Sequence, residues 1–103
     1  PEQVRVLPIG EQFIGYAEDV EKRLVNEGIR VTLDRAADTI GAKIRNARLE
    51  RIPYMLVIGE KEQTAEQVAV RRRCDGDLGP HSMEAFVAML QKEETKGDGG
   101  SVG

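Results

Sequence analysis

The chain is poor in the residues that redox, metal and cofactor chemistry need. Its 103 residues include one cysteine (Cys74), one histidine (His81) and no tryptophan. A single cysteine excludes an internal disulfide and suits a reducing, cytoplasmic compartment. One Cys and one His supply no ligand set for a protein-built zinc site, so no metal is expected here. No apolar run approaches the ~20 residues that span a bilayer, and no signal-peptide pattern opens the chain, which argues against a membrane role. Neither a GxGxxG nor a Walker pattern is present, and His81 has no Ser, Cys or Asp arrangement beside it that would make a nucleophile–base pair. No catalytic residue and no bound cofactor are therefore expected in this chain. The net charge of −3 also argues against DNA, because non-specific duplex binding rests on many phosphate contacts. It leaves open the local reading of an unpaired RNA loop.

What is present describes one ordinary globular domain. Hydrophobic residues at 40% and charged residues at 32% allow one modest core and exclude a disordered or fibrous chain. Pro1 stands where a methionine would open a complete chain, so a piece of a longer protein is expected. Charge is unevenly spread. Glu11, Glu18, Asp19, Glu21 and Glu27 load the first third with acid, while Lys43, Arg45, Arg48, Arg51, Arg71, Arg72 and Arg73 concentrate base in the middle.

Hydrophobic periodicity then orders the elements. Val4-Arg-Val-Leu-Pro-Ile reads as a strand with Pro8 near its end. Phe13, Ala17, Val20 and Leu24 recur at helical spacing, and Gly28 supplies the stop. Ile29 to Leu33 alternates as a second strand, Arg35 to Thr39 is a polar loop, and Ile40 to Arg51 is a helix ended by Ile52-Pro53. Tyr54-Met-Leu-Val-Ile is an unbroken apolar strand, expected to be central and covered on both faces. The alternation implies an α/β domain with parallel neighbours. After a short turn, Val68 to Arg72 makes a fourth strand, antiparallel to the third. Asp75-Gly-Asp reads as a turn. Ser82 caps a last helix carrying Met83, Phe86, Val87 and Leu90, and residues 95–103 read as a loose Gly-rich tail.

The constellation with most chemistry in it is Glu62 with Arg71. Taken alone, both read as surface charges. Read together, they suit an unpaired guanine: a carboxylate accepts from its N1–H and exocyclic amine, and arginine donates to O6 or N7. Such edges are free only on unpaired bases, the usual targets of sequence-specific RNA recognition. Alternation of side chains along the fourth strand sets Arg71 and Arg73 opposite Val68 and Val70. Arg45, Arg48 and Arg51 form a basic stripe on the second helix, beside Ile40, Ile44 and Ala47. Gly41 opens that helix with Thr39 as a candidate cap. Cys74 reads as incidental, and Tyr16 and Tyr54 as core residues.

These segments together resemble the C-terminal anticodon-binding domain of class II aminoacyl-tRNA synthetases, and its threonyl branch most closely. The resemblance runs from about Gln3 to Glu93. It is carried by Asn26-Glu-Gly-Ile-Arg-Val, Ile40-Gly-Ala-Lys-Ile-Arg, Ile52-Pro-Tyr-Met-Leu-Val-Ile-Gly-Glu-Lys-Glu, Val68-Ala-Val-Arg and Asp77-Leu-Gly. It implies a three-layer α/β/α, Rossmann-like domain with a mixed, mostly parallel sheet of about five strands and three main helices. It implies a tRNA anticodon loop of threonine type as partner, contacted by Glu62 and Arg71, with Arg45 and Arg51 placed toward that loop. It also implies a homodimeric parent ligase whose catalytic part, outside this chain, uses ATP, Mg2+ and Zn2+. Threonine anticodons end in guanine then uracil, a fitting target for an acid and an arginine.

One loop departs from the family pattern. Where the family usually shows Leu-Arg-Asn-Glu-Lys, this chain has Arg35-Ala-Ala-Asp-Thr. Ala36 and Ala37 carry no donors, Thr39 replaces a cation but stays a candidate RNA contact, and Arg35 is the candidate substitute from one position earlier. That departure keeps a second expectation in view, a free-standing RNA-binding or adaptor module on the same fold. A small flavodoxin-like enzyme is a third, but it needs a phosphate loop or a nucleophile that the sequence lacks.

Overall fold

A computed structural model describes residues 2–73 and 76–102, with side chains described to residue 92. Five strands form one sheet: β1 (Val4–Pro8), β2 (Val31–Leu33), β3 (Tyr54–Ile58), β4 (Gln67–Arg72) and β5 (Gly76–Ser82). Their spatial order is β2-β1-β3-β4-β5. β1 runs parallel to β2 and β3, while β4 is antiparallel to β3 and to β5. Four helices accompany them: α1 (Ile14–Asn26), α2 (Ile40–Leu49), α3 (Glu60–Ala65) and α4 (Met83–Val102).

The pleat divides the core in two. Val4, Val6, Tyr54, Leu56, Ile58, Val68 and Val70 face α1 and α4, where Phe13, Val20, Leu24, Phe86 and Leu90 close over them. Phe86 is fully buried and meets Tyr54 edge to face, with ring centroids 5.7 Å apart. On the other face Leu7 and Met55 meet Ala47 and Ile52, with Ile40 and Ile44 packed alongside. Two helix layers around a mixed sheet are the expected three-layer α/β/α architecture.

Several details differ from the sequence-based expectation. The turn bearing Glu62 is a helix, α3. Gly59 is its N-cap, and Glu62 accepts from the Gly59 N–H at 2.8 Å, which is half of a capping box. β5 has little strand character of its own. Its Gly-Asp-Leu-Gly-Pro-His-Ser sequence is held extended by pairing with β4, through a bulge opposite Val70 and Arg71. Pro80 is tolerated because β5 is an edge strand. Gly76 and Asp77 thus belong to a strand rather than to the expected turn. Cys74, Asp75 and the tail expected over 95–103 lie outside the residues described with their side chains. β2 begins at Val31 and α2 ends at Leu49, each about two residues inside the expected bounds. Ser82 does cap α4, accepting from the Ala85 N–H at 3.1 Å.

β3 is central but not covered along its whole length. Met55 is buried under α2, yet Val57 on the same face is only half-buried, and so is its cross-strand partner Ala69. α2 lies over β1, which leaves the β3–β4–β5 half of that face open.

Candidate nucleic-acid interface

The open face is where Arg71 sits. It pairs in register with Met55, on the side away from Val68 and Val70, as strand alternation requires. Among the described residues its guanidinium has no hydrogen bond or ion pair. Arg73 lies just beyond β4, not on it. Its backbone N–H donates to the Pro53 carbonyl at 2.9 Å, which fixes this exposed side chain close to the start of β3.

Arg51 arrives at the same end of the sheet by a helix stop. The Ile52 N–H donates to the Ala47 carbonyl and the Arg51 N–H to the Arg48 carbonyl, each at 3.0 Å. This is a Schellman ending with Arg51 in the left-handed position, at φ +61°. α1 ends the same way, with Gly28 at φ +80° in the equivalent place. Glycine takes that conformation freely, whereas a residue with a Cβ is strained there. The arginine is therefore held exposed by a backbone that would rather have glycine.

Arg45 and Arg48 project from the outer side of α2, exposed, with Leu49 exposed beside them. Arg72 faces the other way and donates to the Tyr54 hydroxyl at 2.8 Å. It ties the end of β4 to Tyr54 on the side of the α1/α4 core. Arg51, Arg71 and Arg73 are thus gathered around the start of β3, and Arg45 and Arg48 lie on the adjoining helix.

Glu62 is placed at the opposite end. Its carboxylate sits at Gly59, four residues beyond the Met55 that faces Arg71, or about 13 Å of strand at ~3.3 Å per residue. The structure does not bring Glu62 and Arg71 into contact, and one carboxylate oxygen is engaged in capping α3. Thr39 and Arg35 are also at the Glu62 end of the fold, and both have partners. The Thr39 hydroxyl oxygen accepts from the Ala42 N–H at 3.2 Å and caps α2. Arg35 donates to Glu18 of α1 at 2.7 Å.

Sequence reasoning missed the environment of two charged residues. Arg5 of β1 is clamped between Glu2 and Glu50, at 3.0 and 2.9 Å. Those two carboxylates hold its guanidinium in the charged form, and Arg5 in turn holds the exposed Glu50 carboxyl below its usual range. Lys43 is 4% exposed, and its Nζ donates to the Pro8 carbonyl at 2.9 Å. The signal for Lys43 was its place on the inner stripe with Ile40, Ile44 and Ala47. Lysines are so seldom buried that the basic-face reading took precedence.

Acid lies on the far side. Glu18, Asp19 and Glu27 are exposed on or just beyond α1, which covers the opposite face of the sheet. A polyanion would be steered toward the α2 and β4 side.

Comparison with known proteins agrees with this geometry. The family described as "Anticodon binding domain" matches residues 3–93. The threonine–tRNA ligase of Clostridioides difficile is 48% identical over 93 residues, covering 90% of this chain and 15% of that protein. That of Acetivibrio thermocellus is 53% identical over 87 residues, covering 84% and 14%. The chain therefore spans about one-seventh of the length of these relatives. Among solved structures, the RNA binding domain of threonyl-tRNA synthetase from Cryptosporidium parvum superposes with a TM-score of 0.84 at 34% identity, over 89% of this chain and 23% of that one. With the match extending over nearly all of the described residues, this chain belongs to the anticodon binding domain family.

Proposed function

We propose that the chain reads the anticodon loop of a threonine-type tRNA, as the C-terminal anticodon-binding domain of a threonine–tRNA ligase. The observation that carries this is the half-open sheet face. Val57 and Ala69 give it an apolar floor, Arg71 stands on it with no protein partner among the described residues, and Arg51 and Arg73 flank its lower end. An apolar floor with free donors accepts a splayed base by its face and by its edge. Arg71 supplies donors for guanine O6 and N7, and Glu62 supplies an acceptor for base N–H groups from the other end of the strand pair. A base contacted by both must lie along β3 and bridge them.

The domain does no chemistry in this reading. Activation of threonine with ATP, Mg2+ and Zn2+ belongs to the ligase's catalytic part, as do the contacts of a homodimer, and the setting is the cytoplasm. Few phosphate contacts predict a shallow dependence of affinity on salt. The test is titration of the chain with a threonine-type anticodon stem-loop and with the same stem-loop whose central guanine is replaced. Tighter binding to the first, with a shallow salt slope, supports the reading. Equal binding with a steep slope would leave only a generic RNA-binding surface.

A further inference from the structure

We propose that Arg5 is a positioning residue for RNA binding: it keeps the Glu50 carboxylate off Arg51, so that the Arg51 charge stays available to the RNA. The proposal rests on the RNA reading above, in which Arg51 meets the anticodon loop. Arg5 is not free to make such a contact itself. Its side chain is 11% exposed, and its guanidinium is committed twice over. Nε and Nη2 donate to the two oxygens of Glu2, each at 3.0 Å. Nη1 and Nη2 donate to the two oxygens of Glu50, at 3.0 and 2.9 Å. A planar fork holds two carboxylates side by side in this way, and the point charge of a lysine could not.

This trio stands at the border of the half-open face. Arg5 pairs in register with Met55, and Met55 with Arg71. Arg5 and Arg71 therefore share one row on the same face, two strand spacings or ~10 Å apart in backbone. Glu50 ends α2, and Arg51 follows it directly at φ +61°. Among the described residues neither Arg51 nor Arg71 has a side-chain hydrogen bond or ion pair. The acid next to Arg51 is paired instead across 45 positions of sequence.

Bracing of α2 does not require the Arg5–Glu50 pair. Ala47 and Ile52 already pack against Leu7 and Met55, and the helix stop is closed by backbone bonds from Arg51 to Arg48 and from Ile52 to Ala47. The Glu50 side chain is 58% exposed, so the pair adds little to stability. Its larger effect is on where negative charge lies. Two carboxylates against one guanidinium leave one negative charge in excess, beside a face that must attract a polyanion. While Arg5 grips it, the Glu50 carboxylate has its donors. Released, it would be an acceptor in the residue next to Arg51 and would repel an incoming phosphate.

The test is titration of the parent, Arg5→Met, Glu50→Gln and the double variant with a threonine-type anticodon stem-loop, each with a thermal melt to confirm folding. Arg5→Met should bind roughly two- to fivefold more weakly, the range of a single exposed charge interaction. Glu50→Gln should bind no more weakly than the parent. The double variant should recover most of the affinity lost by Arg5→Met, which removal of a mere brace would not allow. If Arg5→Met does not fold, Arg5→Lys takes its place, with a smaller loss and the same recovery by Glu50→Gln expected. An Arg5 variant as tight as the parent, or a double variant as weak as the single one, would overturn the positioning role. Saturable, guanine-preferring binding by the parent would then leave the RNA reading intact. A loss in Glu50→Gln alone would also overturn the role, and would make the clamp a brace. No saturable binding by the parent would remove the RNA reading and this role together.

Discussion

Arg5 on β1 holds Glu50, the residue that ends α2, at 2.9 Å, and the left-handed Arg51 follows directly. The clamp fixes the helix stop that presents Arg51, and its strength varies with pH. Arg5 lowers the folded pKa of Glu50 through a hydrogen bond first and its charge second. A carboxyl lowered on folding contributes stability above its ordinary pKa, and that contribution is lost as pH falls through the folded value. Arg5 shifts upward, so its own contribution is lost only in strong alkali. Glu50→Gln should therefore lower Tm near pH 7 by a small amount, since Glu50 is exposed, and the difference should shrink as pH falls through the folded value. A Tm difference that does not shrink on acidification would assign the effect to packing rather than to the ion pair.

Arg51 itself separates backbone from side chain. Its φ of +61° costs a non-glycine residue roughly 1–2 kcal/mol, of which part is offset because glycine loosens the unfolded chain. Arg51→Gly should leave stability unchanged or raise it by up to about 1 kcal/mol, whereas Arg51→Ala retains the strain. Both should lose the same RNA affinity if the guanidinium meets the anticodon loop. Denaturant melts of the pair check the first statement and stem-loop titration the second. A drop of about 1 kcal/mol in the glycine variant, as for a helix interior, would refute the strain.

Thr39 was a candidate RNA contact, and the structure gives it a structural task as well. Its hydroxyl oxygen satisfies the Ala42 N–H at the start of α2. Thr39→Ala should cost about 1 kcal/mol of stability, and Thr39→Ser should restore most of it. Thermal melts of the three proteins measure this without RNA. A Thr39→Ala protein as stable as the parent would show that α2 does not depend on this cap.

What could be read from the sequence followed from strong periodicity. The apolar run 54–58 identified the central strand, the 13-17-20-24 spacing identified α1, and 83-86-87-90 identified the inner face of α4. β5 was not located because two glycines and a proline hide a strand that exists only through its partner β4. α3 had a legible sign, a glutamate three residues after Gly59, but glycine made an inconspicuous cap. Every candidate cation of the site was in view, Lys43 among them, but the burial of Lys43 was not, since nothing local says that a lysine's charge is buried. The spacing of Glu62 and Arg71 was the harder matter. An acid near the tip of a β3–β4 connection and an arginine nine residues later cannot be side by side once β4 runs back along β3, and only register makes that visible.

That register sets the last prediction. Arg71 has no side-chain partner among the described residues, so Arg71→Ala should change stability by no more than ~0.5 kcal/mol. Its effect on RNA should be larger, roughly 1–3 kcal/mol of discrimination for guanine. A cycle with a modified base assigns the contact. Replacing the anticodon guanine by 7-deazaguanine removes the N7 acceptor while leaving the N–H edge that Glu62 would read. The parent should bind the modified stem-loop more weakly, and Arg71→Ala should bind both stem-loops alike. If the modified base costs the variant as much as it costs the parent, the N7 contact belongs to another residue. Glu62→Gln supplies the converse. Loss of N7 should cost this variant as much as it costs the parent, so its penalty and that of 7-deazaguanine should add, as expected for groups acting at opposite ends of the base.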